Sequence, residues 1–452
     1  MLLAPFLLFC ALPQDQDAAE LTRRGLAELR RVEAEVAAGR LTGLDVPDAF
    51  FGAALALRKA CEAGGAPPEA FAGWSEALLN ADDLKKALAA VEQGLAEHPG
   101  SLPLLLQHGR VLGAMAGRAG GEEQQRLYRQ ARDAYAEAAR RHPKSAVACV
   151  RRGEMEVYLG DLEAAAKAWQ EALRRDPDQV DLGAMAAWLP QPQAAQLIDG
   201  LLAQPGADRA LLTWYRGLAA YNSLLRDPKP EYWQACREDF ERALELNPGY
   251  DTSWYYLANA ANVWAGRLNA EDPAAAGRIW AYAARAWGRY LAGNGGNAQR
   301  QALAGMGEGA AAFLDQLKWF AGKAWGARDP ESAIAIARWV AESSPSDPEA
   351  WNNLALFLRD TGRAEESLRA YEKALELQPD HPQVMNDLAV ILHYYLKRDD
   401  DRARDLYQRA IARAEEMLAG DLSEEERGLI EVALRDARNN LAKLDKGDRE
   451  NG

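Results

Sequence analysis

Runs of valine, isoleucine and threonine, the residues that favour strands, are nearly absent from this chain of 452 residues. Alanine, leucine, glutamate and arginine stand in their place, which predicts an all-helical protein. No long apolar stretch is free of charge, and at 48% apolar and 27% charged residues the chain is neither disordered nor a polytopic membrane protein. Cysteine is scarce. After Cys10 come Cys61, Cys149 and Cys236, an odd number whose spacing matches no metal motif. At least two of these fall at small-residue positions inside helices, so buried free thiols are expected. Only five histidines occur, and His98, His142 and His381 adjoin prolines in turns. There is no HExxH, GxSxG, phosphate-loop or CxxC motif. GMGEG at 305–309 follows no strand and reads as close helix packing. No catalysis, cofactor or metal is therefore expected. Positive charge is also short: 53 basic against 67 acidic residues leave a net charge of −14, which repels a phosphate backbone and disfavours nucleic acid as a partner.

What the chain does have is repetition. Prolines at 99, 143, 177, 248, 345 and 379 punctuate it, and Pro143 and Pro177 stand 34 residues apart, as do Pro345 and Pro379. Ahead of them, KALAAVEQGLAEHP, ARDAYAEAARRHP, AAAKAWQEALRRDP and CREDFERALELNP share one pattern. A small residue stands four before Val91, Tyr135, Trp169 or Phe240, and another follows three later. Small side chains let two helices approach closely, and the ring fills the space between them. The fullest unit is PEAWNNLALFLRDTGRAEESLRAYEKALELQP, residues 348–379. Trp351 opens its first helix, Leu354 and Ala355 follow, Gly362 turns the chain, Tyr371 and Ala374 mark the second helix, and Pro379 closes it. Trp351 is expected to be buried between helices.

These residues resemble the tetratricopeptide repeat, whose period is about 34 residues. The resemblance implies an α-solenoid superhelix of paired antiparallel helices, each repeat packing on its neighbours. Residues 67–420 form the expected array, irregular around 178–206, where Pro190 and Pro192 interrupt it, and around 249–345, where two repeats are stretched. The extra residues between Pro99 and Pro143 fall in GRAGGEEQQ, between the two helices of one unit. Residues 15–66 read as an N-terminal helical cap. Residues 421–452 read as a capping helix, opened by the Ser423–Glu426 capping box, and a loose tail. The apolar run Leu2–Leu12 is too short to span a bilayer and makes residues 1–14 a signal peptide, so the chain is expected to be exported to the periplasm or cell envelope, with a cytoplasmic location as the alternative. Cys10 fits a lipobox poorly because Phe9 stands where a small residue belongs.

The same resemblance implies that first helices line a concave groove and that asparagines there hold a ligand's peptide backbone. Asn352 and Asn353, and one repeat later Asn386 and Asp387, occupy that exposed phase. A second candidate patch joins Tyr215, Tyr221 and Asn222 to Tyr255, Tyr256, Asn259 and Asn262 on the next first helix. Aromatics beside amides suit peptide or sugar, the rings giving apolar area and the amides orientation. A clamp for an acidic tail would need lysines beside Arg359 and Gln383, and the helices near 352 and 386 supply none. The expected function is a non-catalytic scaffold that binds a protein or peptide in the groove. The alternative is an envelope protein that binds glycan through the Tyr/Trp/Asn patch.

Overall fold

Aspartate and serine mark where helices begin. The side chains of Asp83, Ser145, Asp161, Asp208, Asp272, Asp329 and Asp347 each accept a hydrogen bond from a backbone amide in the first turn that follows. Such caps satisfy donors that the helix itself leaves without partners. In the computed structural model, which describes residues 17–448, the result is helix after helix with no strand among those residues. The expected signal segment and Cys10 lie outside the described residues.

The chain divides into two compact units at Gly200. The first holds α1 (Ala18–Ala37), α2 (Asp45–Glu62), α3 (Pro68–Asn80), α4 (Leu84–Glu97), α5 (Leu102–Ala116), α6 (Gly121–Arg141), α7 (Ala146–Leu159), α8 (Leu162–Arg175) and α9 (Leu182–Trp188), and most of α10 (Gln191–Leu202). From α3 to α8 the helices pack in consecutive pairs, each pair against the next. Within each pair, glycine on one helix faces a ring on the other: a Cβ on Gly94 would lie 2.5 Å from Phe71, one on Gly109 2.6 Å from Tyr135, and one on Gly153 3.1 Å from Trp169. Polar stitches recur with the repeat. Ser75 Oγ donates to Ala87 O at 2.8 Å, and the His142 ring to Gly100 O at 2.8 Å.

The second unit runs through α11 (Arg209–Arg226), α12 (Pro230–Leu246), α13 (Thr252–Leu268), α14 (Pro273–Ala292), α15 (Gly295–Ala304), α16 (Gly309–Gly326), α17 (Pro330–Ser343), α18 (Pro348–Asp360), α19 (Ala364–Leu377), α20 (Pro382–Val390), α21 (Asp400–Leu418) and α22 (Glu424–Asp445). One continuous apolar core links it from Ala220 to Leu444. The motifs of the fullest repeat hold: Leu354, Ala355, Tyr371 and Ala374 are buried, and Gly362 turns with φ +76°. Cys61, Cys149 and Cys236 are buried and unbridged, and desolvation pushes the Cys61 thiol up to about 12.

Four local expectations need correction. Trp351 is half-buried, its ring on the core edge and its Nε1–H donating to Pro345 O at 3.1 Å. GMGEG is the turn between α15 and α16, with Gly307 at φ +53°, and no helix packs against Gly307 or Gly309. Much of GRAGGEEQQ lengthens α6 rather than forming a loop. The stretched region gains an extra short helix, α15, while α20 runs on into a π turn at Ile391–Leu396.

Two glycines one turn apart on α5 test the ring-on-glycine packing. Gly109→Ala should destabilise the protein by about 1–3 kcal/mol, because its methyl enters the Tyr135 ring. Gly113→Ala meets only Met155, with Sδ nearest at 3.7 Å, and should be neutral or stabilising by up to about 1 kcal/mol. Chemical denaturation of the two variants measures the contrast.

Candidate functional site

A cavity of about 970 Å³ in the second unit is walled by the first helices of successive repeats, α18 and α20, and by the terminal helix α22. Helix periodicity aims the relevant side chains: Asn352 and Arg359 on α18, Gln383, Asn386 and Asp387 on α20, and Asp436, Asn440 and Lys443 on α22 recur at spacings of three, four or seven. The π turn brings in Tyr395, and Tyr371 reaches the cavity from α19.

A directed chain of hydrogen bonds crosses the floor. Tyr394 Oη donates to Asn440 Oδ1 at 3.0 Å, and Asn440 Nδ2 to Asn386 Oδ1 at 3.1 Å. Asn386 Nδ2 then donates to Asp387 Oδ1 at 3.2 Å, which also accepts from Gln383 Nε2 at 2.9 Å. Arg359 Nη1 stands 3.9 Å from the same oxygen. Burial pushes the Asp387 carboxyl up to about 6, against the opposing pull of Arg359 and of those two amide donors, and with Asp436 adding repulsion. Two polar atoms at this cavity are buried without a hydrogen-bond partner: Asn352 Oδ1 and the Tyr371 hydroxyl. A buried unmade bond of this kind costs about 1–3 kcal/mol.

The site residues expected from sequence divide three ways. Asn352, Asn386 and Asp387 share this cavity, but Asn386 and Asp387 are not on an open helix face: they are 3% and 9% exposed. Asn353 faces elsewhere, beside Lys318 and Phe357. The Tyr/Asn patch is a half-buried aromatic junction. Tyr256 stacks on Phe240 at 5.3 Å and meets Tyr221 at 5.0 Å, while Tyr255 turns its edge to Trp287 and Tyr290 of α14. Tyr215 lies against Trp214, and Asn222 is half-buried on the same helix. Its amides are engaged: Asn259 Nδ2 donates to Tyr255 O at 2.9 Å, and Asn262 Oδ1 accepts from Trp280 Nε1 at 3.2 Å. Sequence reasoning missed the whole α22 wall. Its signal is a stripe of polar residues at 436, 439, 440 and 443, which by itself reads as a solvated face. The lysines absent from the helices near 352 and 386 come from that wall as Lys443 and Lys446, in company with Asp436.

A profile described as tetratricopeptide repeat matches residues 347–416, and a second of the same description matches 121–180 and 150–189. No curated protein matches the chain. Among solved structures, the chain is similar to the C-terminal part of a TPR repeat-containing protein from Cytophaga hutchinsonii, at 15% identity and a TM-score of 0.34, over 63% of this chain and 99% of that one. A thermophilic TPR protein from Thermus thermophilus is similar at 18% identity and a TM-score of 0.31, over 52% and 98%. A chain of the APC/C hetero-tetramer Cut9–Hcn1 is similar at 14% identity and a TM-score of 0.26, over 96% and 85%.

Asp387 sets a pH dependence whose sign follows from burial. Its folded value of about 6 lies above the unfolded aspartate value of about 4, so the folded state binds the extra proton between them. Stability from this group is therefore gained as pH falls through about 6 toward about 4, and lost as pH rises again. Asp387→Asn should flatten that segment of the stability–pH curve relative to the parent chain, with Arg359 keeping its bond to Asp360 at 2.7 Å. Denaturation midpoints across that range measure it.

Proposed function

We propose that this chain, whose residues 121–189 and 347–416 are tetratricopeptide repeats, is a non-catalytic adaptor that holds an extended segment of a partner protein in the α18–α20–α22 groove. Tetratricopeptide repeats generally mediate protein–protein interaction, and that coarser statement stands without the groove. The observation that carries the finer one is the pair of unpartnered buried atoms, Asn352 Oδ1 and Tyr371 Oη, in a cavity otherwise rich in amides. A carbonyl oxygen that lacks a donor and a hydroxyl that can donate or accept complement one peptide unit, which brings both an N–H and a C=O. Backbone reading of this kind gives affinity with little demand on side-chain identity. Lys443, Lys446 and Arg359 against Asp387 and Asp436 add a mixed-charge wall that favours a polar segment.

Export belongs to the same proposal and is supported by the Leu2–Leu12 run alone. Fractionation of the native producer, with the chain recovered outside the cytoplasm and shortened at its N-terminus, is the outcome expected.

Tyr371→Phe separates binding from folding. Deleting a hydroxyl that is buried and unpaired should leave stability unchanged or raise it by about 1 kcal/mol. The same change should weaken, by about fivefold or more, a peptide selected against the full chain from a random display library, as should Asn352→Ala. Calorimetry on the selected peptide decides it. If neither variant alters its affinity, the groove is not where the peptide sits.

A further inference from the structure

The first unit has a cavity of its own, about 600 Å³, built on the first helices α3, α5 and α7 and on α6. Its lining runs along α5 from Pro103 to Gly117, a distance of about 21 Å at the rise of an α-helix. Gly113 and Gly117 leave the C-terminal end of that floor bare, beyond Leu106, Gln107 and Arg110.

The charged and amide groups on this wall are already partnered. Arg110 pairs with Glu76, Arg151 with Glu154 at 2.8 Å, and Gln107 Nε2 donates to Ser75 Oγ at 3.3 Å. The pairs cancel, so the wall carries no net charge. What remains open is aromatic. The Tyr128 and Tyr158 rings lie parallel at 4.9 Å, and Trp188 sets its plane at 66° to Tyr158, 6.0 Å away. Tyr158 is 47% and Trp188 45% exposed; Tyr128 covers one face of Tyr158, and Trp188 borders the groove through its contact with Tyr158. The hydroxyls of Tyr128, Tyr135 and Tyr158 make no hydrogen bond among the described residues and are available as donors.

We propose that this groove binds an uncharged proline-rich segment of a partner protein in the polyproline II conformation. Proline rings present flat apolar faces to Tyr158 and Trp188, and their carbonyls accept from the tyrosine hydroxyls. Proline has no N–H, which suits a wall whose acceptors are already committed to arginines. At about 3.1 Å per residue the α5 floor accommodates roughly seven residues, and a chain already in this conformation loses little entropy on docking. A charged peptide would have to break the Glu76–Arg110 or Arg151–Glu154 pair. An oligosaccharide would bring many hydroxyl donors to carboxylates that are already occupied.

The test is calorimetry of the full chain with a capped peptide of repeated Ala-Pro-Pro units. Tyr158→Ala removes the exposed platform, and Gly113→Leu fills the floor where a Cβ meets only Met155, so neither should disturb folding, as circular dichroism and melting verify. Binding by the parent chain, weakened about tenfold or more by each variant and unchanged by Asn352→Ala in the other unit, is the result expected. If Tyr158→Ala fails to fold, Gly113→Leu decides alone. Absence of binding, or affinity unmoved by Gly113→Leu, overturns the proposal. So does Tyr158-dependent binding of a neutral glucose oligosaccharide where the peptide does not bind.

Discussion

The close approach of glycine to an aromatic ring is the contact on which the helix pairs depend. Gly94 receives Phe71, Gly109 receives Tyr135, Gly153 receives Trp169, and Gly217 receives Phe240, which a Cβ there would meet at 3.1 Å. Each glycine weakens its helix by about 1 kcal/mol relative to alanine. Burying the ring that takes its place contributes about 1.5–3 kcal/mol, so the exchange favours the folded pair. It also fixes the spacing, because a ring seated on bare backbone cannot slide without meeting a neighbour's Cβ. In the fullest repeat alanine takes this role: Ala355 and Ala374 are buried beside Tyr371, and Ser367 Oγ donates to Ala355 O at 2.7 Å.

That constraint also shapes the grooves. Val91, Tyr135, Trp169, Phe240 and Tyr371 each stand eight residues before a repeat-closing proline, the same structural position in different repeats. Only Tyr135 and Tyr371 among them carry a hydroxyl, and each of these lines one of the two grooves. A core ring with a polar tip presents that tip at the floor of the space between first helices, whereas Phe240 at the same position is capped by Tyr256. In both proposed grooves one side chain thus packs the core and offers a polar tip, and substitution by phenylalanine separates the two.

The repeat was legible because its signals are local: a cap, a small residue, a ring, a small residue, a proline. Capping at Ser423, the turn at Gly362 and the buried cysteines follow from those signals one residue at a time. The grooves were legible only in part, because periodicity gives the phase of one helix and says nothing of what stacks upon it. Asn386 and Asp387 have the phase of an exposed pair, yet α22 covers them through Asn440. Since α22 lacks the repeat signature, its polar stripe passes for a solvated face. Tyr255 and Tyr256 show the converse. Neighbours on a helix diverge by about 100°, so the two rings serve different hairpins instead of one surface.

The two grooves differ in what they lack. In the α18–α20–α22 groove, a carbonyl oxygen and a hydroxyl are buried without partners, and a carboxyl is held near the edge of ionisation. Each of these costs stability, and under the proposed function a hydrogen-bonding segment of the partner relieves it. Binding there should draw on enthalpy, with ordering of the segment opposing it. In the α3–α5–α7 groove the charged and amide groups are already paired and the exposed surface is aromatic, so occupancy there removes apolar area from water and carries the negative heat-capacity change of that burial. A partner with both a polar extended segment and a proline-rich one would engage the two units by different physics, and raising salt would weaken only the first, since the second site shows no net charge to screen.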